Sequence, residues 1–297
     1  MHPRNRHTGR YDLENLIQVL PSLKPFVAPN KYGDLSIDFA NPQAVQLLNH
    51  ALLKDFYGLS FWQIPENYLC PPIPGRSDYI HQIADLLASD NDRAVPSGKE
   101  VRVLDIGVGA SCIYPIIGHN EYGWSFVGTE ADPVAYDSAL RIVQENPSLS
   151  HAVEIRKQAT PEFTLKNIVT KSETFDVLMC NPPFHASLEE AEEGSRRKWR
   201  NLGKTKQLNL SARNFGGQGG ELWCPGGEVA FVKKLIQESS IYQKQFKWFS
   251  SLVSKDASLD AIYSALKAAR VYDMRTLDMS QGQKKSRIVV WRWLGAR

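Results

Sequence analysis

Val101-Arg102-Val103-Leu104-Asp105-Ile106-Gly107-Val108-Gly109-Ala110-Ser111 is the stretch that decides the fold. Val101 to Ile106 is a run of strand length rich in β-branched residues. The glycines behind it admit backbone angles that a side chain forbids, and they let a ligand approach the main chain. A strand running into such a turn opens a nucleotide-type β-α unit. Cys112 stands where the dinucleotide fingerprint Gly-x-Gly-x-x-Gly has its third glycine, and no Gly-Lys-Ser/Thr of a P-loop follows, so nothing here demands a pyrophosphate. The next strand, Trp124 to Thr129, ends at Glu130, a carboxylate placed to accept the hydroxyls of a ribose. A nucleoside cofactor without a phosphate chain fits both features. Asp132 and Pro133 then start a helix that runs to about Gln144.

The second informative stretch is the run Phe175-Asp176-Val177-Leu178-Met179-Cys180, stopped by Asn181-Pro182-Pro183-Phe184. It reads as a buried strand with the tetrapeptide at its carboxyl end, where open α/β sheets bind ligands. Asn181 offers an amide oxygen, Pro182 a carbonyl with no competing N–H, and Phe184 a flat face for a base. Together they suit the exocyclic amine of a base, while Asn-Pro-Pro alone is equally well a stiff turn.

Outward from these two motifs, Asp12 to Leu20 is a short amphipathic helix and Leu35 to Phe39 alternates as a strand. Asn41 and Pro42 start a helix through Leu53. Cys70 to Gly75 holds three prolines and a glycine and reads as a linker or rigid turn, so the boundary of a small amino-terminal domain (1–75) falls there. Tyr79 to Ala88 is a helix leading into the main domain (76–297). Beyond the second motif, Glu228 to Glu238 and Ser258 to Ala269 read as helices, and Phe246 to Val253 and Ser286 to Trp293 as strands. The alternation gives an α/β, doubly wound sheet of about seven strands with a terminal strand pair.

At 297 residues, 42% hydrophobic and 23% charged, the composition is that of a globular protein with a substantial core. No stretch approaches the roughly 20 apolar residues of a membrane span, and the amino terminus lacks the apolar segment of a secretory signal, so a cytoplasmic location is expected. Cys70, Cys112, Cys180 and Cys224 lie far apart, which suggests neither a disulfide framework nor a metal site. The net charge of +3 decides nothing, but its distribution is uneven. Residues 1–10 carry Arg4, Arg6 and Arg10 without an acid, and 195–213 carries Arg196, Arg197, Lys198, Arg200, Lys204, Lys206 and Arg213, again without an acid. One such run is usually a solvated loop; two together, with Trp199 as a stacking surface, suggest contacts to a nucleic acid backbone.

The glycine loop, the acid after the second strand and the tetrapeptide after the fourth together resemble the class I S-adenosylmethionine-dependent methyltransferases, and Asn-Pro-Pro-Phe resembles the site of those that act on adenine amines. The resemblance extends to Met1-His2-Pro3-Arg4-Asn5-Arg6-His7, to Pro72-Ile73-Pro74-Gly75-Arg76-Ser77-Asp78-Tyr79-Ile80-His81 and to Gly107 through Pro115. These segments are similar to the bacterial 23S ribosomal RNA adenine methyltransferase F family, itself related to a human methyltransferase of spliceosomal RNA. The resemblance implies a Rossmann-like domain with a small amino-terminal RNA-binding domain, S-adenosylmethionine as cofactor, and large-subunit ribosomal RNA or its assembly intermediate as partner. The acceptor it implies is the exocyclic amine of adenine 1618. It implies cofactor contacts at Arg76, Gly107, Ser111, Glu130 and Asn181, with Asp105 and Gly109 in the same loop. Arg76 would meet the methionine carboxylate, because a guanidinium fork matches a carboxylate. One residue between Gln158 and Thr164 would touch the cofactor's adenine, and Gln218 to Gly227 resembles a loop near the site. Asn181, Pro182, Pro183 and Phe184 form the implied catalytic set, and His185 is taken as a bystander. Related sites act on DNA adenine or protein glutamine, and a non-catalytic RNA-binding module on a decayed fold is a third reading; the basic runs and the intact motifs argue for RNA methylation.

Overall fold

The computed structural model describes residues 1–187, 189, 190, 222–281 and 284–295; the expected basic run at 195–213 lies outside the described residues. The amino-terminal part holds α1 (Leu13–Val19), a 3-10 turn, a two-stranded ribbon of β1 (Val27–Pro29) and β2 (Leu35–Ile37), and α2 (Pro42–Tyr57). Its helix starts follow from local chemistry. The Asp12 side chain accepts from Asn15 N, and Asn41 accepts from Gln43 N and Ala44 N ahead of Pro42.

Helix α3 (Ile73–Ala88) starts six residues earlier than Tyr79, with Pro72 as its cap and Pro74 in its first turn. Proline there loses no helical hydrogen bond, so the proline-rich stretch ends in a helix rather than in a linker. Arg76 is thereby fixed on the first turn of a regular element. The main sheet consists of β3 (Arg102–Ile106), β4 (Ser125–Glu130), β5 (Val153–Lys157), β6 (Phe175–Cys180), β7 (Phe246–Val253), β8 (Asp273–Gln281) and β9 (Lys284–Arg292). Helices α4 (Ile113–Tyr122), α5 (Pro133–Gln144), α6 (Pro147–Ser150), α7 (Gly227–Ser239) and α8 (Leu259–Ala269) connect or follow its strands.

The strand order is β5-β4-β3-β6-β7-β9-β8, with β3 to β7 parallel and β9 antiparallel to both neighbours. The chain leaves β3 toward one edge and returns to β6 on its other side, so the order reverses between β3 and β6. A crevice opens at such a reversal, because the connections diverge to opposite faces. Successive side chains feed two cores. Val103, Val177 and Met179 pack with α3, α4 and α5, while Leu104, Leu178 and Cys180 pack with α7 and α8. Leu16, Leu23, Leu48 and Leu52 of the amino-terminal part lie in the first of these cores, continuous with the sheet. Among the described residues no helix is long and apolar enough to cross a membrane.

Candidate active site

Loop 107–111 leaves β3 through Gly107 at φ 70° and Gly109 at φ 67°, a region in which a side chain is strained. A Cβ at Gly107 would meet no atom within 4 Å, so that position faces open space where a ligand can approach the backbone. The next turn enters α4 through Cys112 at φ 51°, unusual for a residue that is not glycine. The surroundings hold this geometry. Val108 N donates to Thr129 O, Gly109 N to Glu130 Oε2 (3.0 Å), Trp62 Nε1 to Ser111 O (2.9 Å) and Ser138 Oγ to Ala110 O (2.8 Å).

Glu130 ends β4 with both oxygens engaged. Oε1 accepts from Ala131 N and Asp132 N at 2.8 and 3.0 Å, and Oε2 accepts from Gly109 N. Of the roughly four acceptor positions of a carboxylate, one on Oε2 stays open to a ligand hydroxyl. Burial raises the Glu130 carboxyl above its usual range, opposed by these backbone donors. Asp105 lies deeper, fully buried, with neither carboxylate oxygen hydrogen-bonded among the described residues. Burial first, then the Glu130 charge, push its carboxyl up to about 8.

On the other side of the crevice Arg76 faces Asn181. Arg76 Nη1 donates to the Tyr114 hydroxyl at 2.9 Å. The orientation of the Asn181 amide that satisfies both side chains puts its Oδ1 at 2.9 Å from Arg76 Nη1 and 3.1 Å from Nη2. Behind Asn181, where β7 no longer pairs with β6, the buried Tyr79 hydroxyl donates to Cys180 O (3.3 Å) and accepts from Cys180 N (3.4 Å), and Ser250 Oγ donates to Leu178 O (2.7 Å). Side chains from α3 and β7 thus complete the ladder that ends at the tetrapeptide.

A cleft with a volume of about 180 Å³ joins these parts. Arg76, Gly107, Gly109, Ser111, Glu130, Asn181, Pro182 and Pro183, all expected from the sequence, line it. Asp105 lies behind the wall, and Phe184 is half-buried against the first core and does not line the cleft. From the stretch left open in the sequence, Gln158, Pro161, Phe163 and Thr164 reach the cleft. Thr164 and Leu165 are held through their N–H groups by Glu238 of α7, and Thr164 Oγ1 is buried without a partner among the described residues. Tyr114, Phe231, Leu69 and Pro71 complete the apolar walls. No local pattern marks these four, since they arrive from α4, α7 and the segment before α3.

The amino-terminal arm is not an uncompensated basic tail, as the acid-free sequence suggests. Arg4 pairs with Asp85 (2.7 Å) and with the Tyr122 hydroxyl, Arg6 with Glu121 (2.8 Å) and Arg10 with Asp34 (2.6 Å). His2, Asn5 and His7 anchor the arm from below, all buried. The acids come from distant parts of the chain, which a count along the sequence does not register. Arg196, Arg197, Lys198, Arg200, Lys204 and Lys206 lie outside the described residues. Cys70, Cys112, Cys180 and Cys224 are all free, and no group of three or more His, Cys, Asp or Glu able to hold a metal occurs among the described residues.

Residues 1–295 match the model of a family described as RNA methyltransferase. The ribosomal RNA large subunit methyltransferase F of Pseudomonas fluorescens (strain SBW25) is 55% identical over 292 residues, covering 98% of this chain and 86% of that protein. The protein of the same name from Serratia proteamaculans (strain 568) is 53% identical over 291 residues, covering 98% and 87%. Among solved structures, the human METTL16 catalytic domain in complex with MAT2A 3'UTR hairpin 1 superposes with a TM-score of 0.83 at 32% identity, over 99% of this chain and 96% of that one. The amino-terminal domain of human METTL16 in complex with SAH gives 0.77 at 29% identity, with 99% of each chain covered. The sheet order is thus that of an S-adenosylmethionine-dependent methyltransferase domain, and the chain belongs to the RNA methyltransferase family.

Proposed function

We propose that the protein transfers a methyl group from S-adenosylmethionine to the exocyclic amine of one adenine, adenine 1618, in large-subunit ribosomal RNA, as naked RNA or in an assembly intermediate. The observation that carries the reading is the cleft at the strand reversal, which brings an open acceptor position on Glu130, the guanidinium of Arg76 and the amide of Asn181 to the rim of one space. The residues fit the cofactor. Glu130 would accept a ribose hydroxyl, Arg76 would meet a carboxylate, and Phe163 and Phe231 offer apolar walls to a base. Names of the relatives at 53 to 55% identity support ribosomal RNA as the substrate class.

Bound S-adenosylmethionine supplies a methyl group on a sulfonium; the N–CH3 bond forms as the S–CH3 bond breaks, and the sulfur leaves as a neutral thioether. The protein's part is alignment of a poor nucleophile, since the amine's lone pair is delocalised into the ring. Asn181 Oδ1 and the Pro182 carbonyl each accept one amine proton, which draws the nitrogen toward tetrahedral geometry with its lone pair aimed at the methyl group. One of those protons passes to solvent after transfer, so no side chain need act as base. Phe184, half-buried against the first core, is the residue this reading assigns to stack on a base extruded from the RNA.

Two measurements test this reading. Mapping of N6-methyladenine across ribosomal RNA from cells with and without the protein is expected to show one large-subunit adenine that loses its methyl group; methylation confined to DNA or to a protein glutamine would reject it. Asn181→Ala, folded and still cofactor-bound, is expected to transfer methyl groups about 100-fold more slowly in single turnover, the effect of one preorganised hydrogen bond.

A further inference from the structure

The contact between Arg76 and Asn181 is at odds with the task just assigned to Asn181. An amide oxygen has two lone pairs, and in the amide orientation that satisfies both side chains Arg76 Nη1 and Nη2 donate to Oδ1 at 2.9 and 3.1 Å, so both are taken. In this arrangement the oxygen has nothing left with which to accept an amine proton. The guanidinium also places a positive charge against the group that must draw the amine's protons, at a site where the amine nitrogen gains positive charge during transfer. Both effects oppose methylation while the contact lasts.

The same cleft receives the ligand that can break it. Arg76 and Asn181 line it together with Glu130 and Gly107, so a cofactor whose nucleoside is held at Glu130 would share one space with the Arg76 guanidinium. A guanidinium forms two parallel charge-assisted bonds with a carboxylate, about twice as strong as bonds to a neutral amide oxygen. Tyr114, which accepts from Nη1 at 2.9 Å and is itself buried against Tyr79, keeps the Arg76 head in the cleft while its end fork changes partner.

We propose that Arg76 is a positioning residue for the acceptor as well as a cofactor contact: without cofactor it occupies the Asn181 oxygen, and the cofactor's carboxylate draws it off and so makes the site competent for adenine. The inference rests on the assignment of Asn181 to the amine and of Arg76 to the carboxylate, and it adds an order: cofactor first, base second. A ligand that fills the nucleoside part of the cleft but lacks the carboxylate binds without releasing Asn181.

The test compares S-adenosylhomocysteine, which carries the carboxylate, with 5′-methylthioadenosine, which does not. The readout is affinity for two ribosomal RNA fragments that differ only in having adenine or purine, which lacks the amine, at the mapped position. With saturating S-adenosylhomocysteine the adenine fragment is expected to bind about tenfold more tightly than the purine fragment, the size of one hydrogen bond to an acceptor otherwise left unpaired. With 5′-methylthioadenosine, or with no ligand, the two fragments are expected to bind alike. In Arg76→Gln the adenine preference is expected with any ligand or none, while S-adenosylhomocysteine loses its affinity advantage over 5′-methylthioadenosine. A wild-type adenine preference equally large without ligand would overturn the coupling and leave the site assignment standing. No adenine preference under any condition would instead reject the role of Asn181, and the coupling with it.

Discussion

Both oxygens of Glu130 are tied to main-chain N–H groups before any ligand arrives, so the side chain builds the glycine loop as well as serving it. Glu130→Ala is expected to weaken S-adenosylmethionine binding by about 1 to 3 kcal/mol in calorimetry, because a ribose hydroxyl and Gly109 N–H lose their acceptor together. Trp62 is a less obvious participant: its buried indole N–H is the donor to Ser111 O next to the strained Cys112. Trp62→Phe keeps the bulk and removes the donor, and a loss of about 1 to 2 kcal/mol in cofactor affinity is expected; unchanged affinity would show that the glycines and Glu130 set the loop unaided. At Asp105 the sign is opposite to that of most carboxylates. Its folded-state pKa, pushed up to about 8, lies above the unfolded value, so the folded protein holds the extra proton and loses stability as pH rises from about 4 to 8. Asp105→Asn removes that slope. Its melting temperature is expected to gain on the wild type between pH 6 and pH 8.5, which thermal unfolding at the two values measures.

At the scale of elements, α3 ties the site to the amino-terminal arm. Its first turn carries Arg76, its second Asp78 and Tyr79, and its later turns His81 and Asp85; Asp78, His81 and Asp85 receive Arg4, Asn5 and His2. Tyr79→Phe removes the hydroxyl shared by Cys180 and Ser250 without opening a cavity. Methyl transfer is expected to slow about tenfold with little change in cofactor affinity, since the loosened part is the strand end that aims Asn181. Equal falls in rate and affinity would indicate general unfolding of the site. Elements with strong periodicity were legible: β6, β7, α5, α7 and α8 lie within a residue or so of the sequence reading. β5 and β8 had no bounds assigned. Val153–Lys157 alternates over only five residues, and Asp273–Gln281 is largely polar and owes its strand conformation to the β9 ladder.

For the whole molecule, the docked arm brings a pH dependence. His7, in contact with the Tyr57 and Tyr11 hydroxyls, is lowered by burial and then by Arg6 to about 4; His81 is lowered by burial and by His2 and Arg4, also to about 4. Both folded-state values lie below the ordinary histidine value of 6.5, so the folded protein binds fewer protons and loses stability as pH falls from about 6.5 to 4. Amide exchange across residues 1–20 is expected to accelerate over that window before the sheet does, and His7→Gln to reduce the effect. The basic run at 195–213 lies outside the described residues, and its role as an RNA contact is proposed from its charge alone. Neutralising Arg196, Arg197, Lys198 and Arg200 together is expected to weaken RNA binding and flatten its salt dependence while sparing cofactor affinity. An unaltered salt slope would assign that run to a solvated loop.

By itself the sequence determined the features that depend on near neighbours: the strand and glycine turn at 101–111, the prolines behind Asn181 that stop β6, the acid that ends β4 and the capped helix starts. Backbone sterics and periodic burial act over a few residues, so they are written locally. Only the tertiary structure decided what distant segments do to one another. It set Arg76 against Asn181, Trp62 beneath the glycine loop, Phe163 and Phe231 in the cleft, and Asp34, Asp85 and Glu121 on the arm's arginines. Those pairings follow from which faces of the sheet and helices meet once the core is packed, a property of the whole chain that no window of the sequence contains.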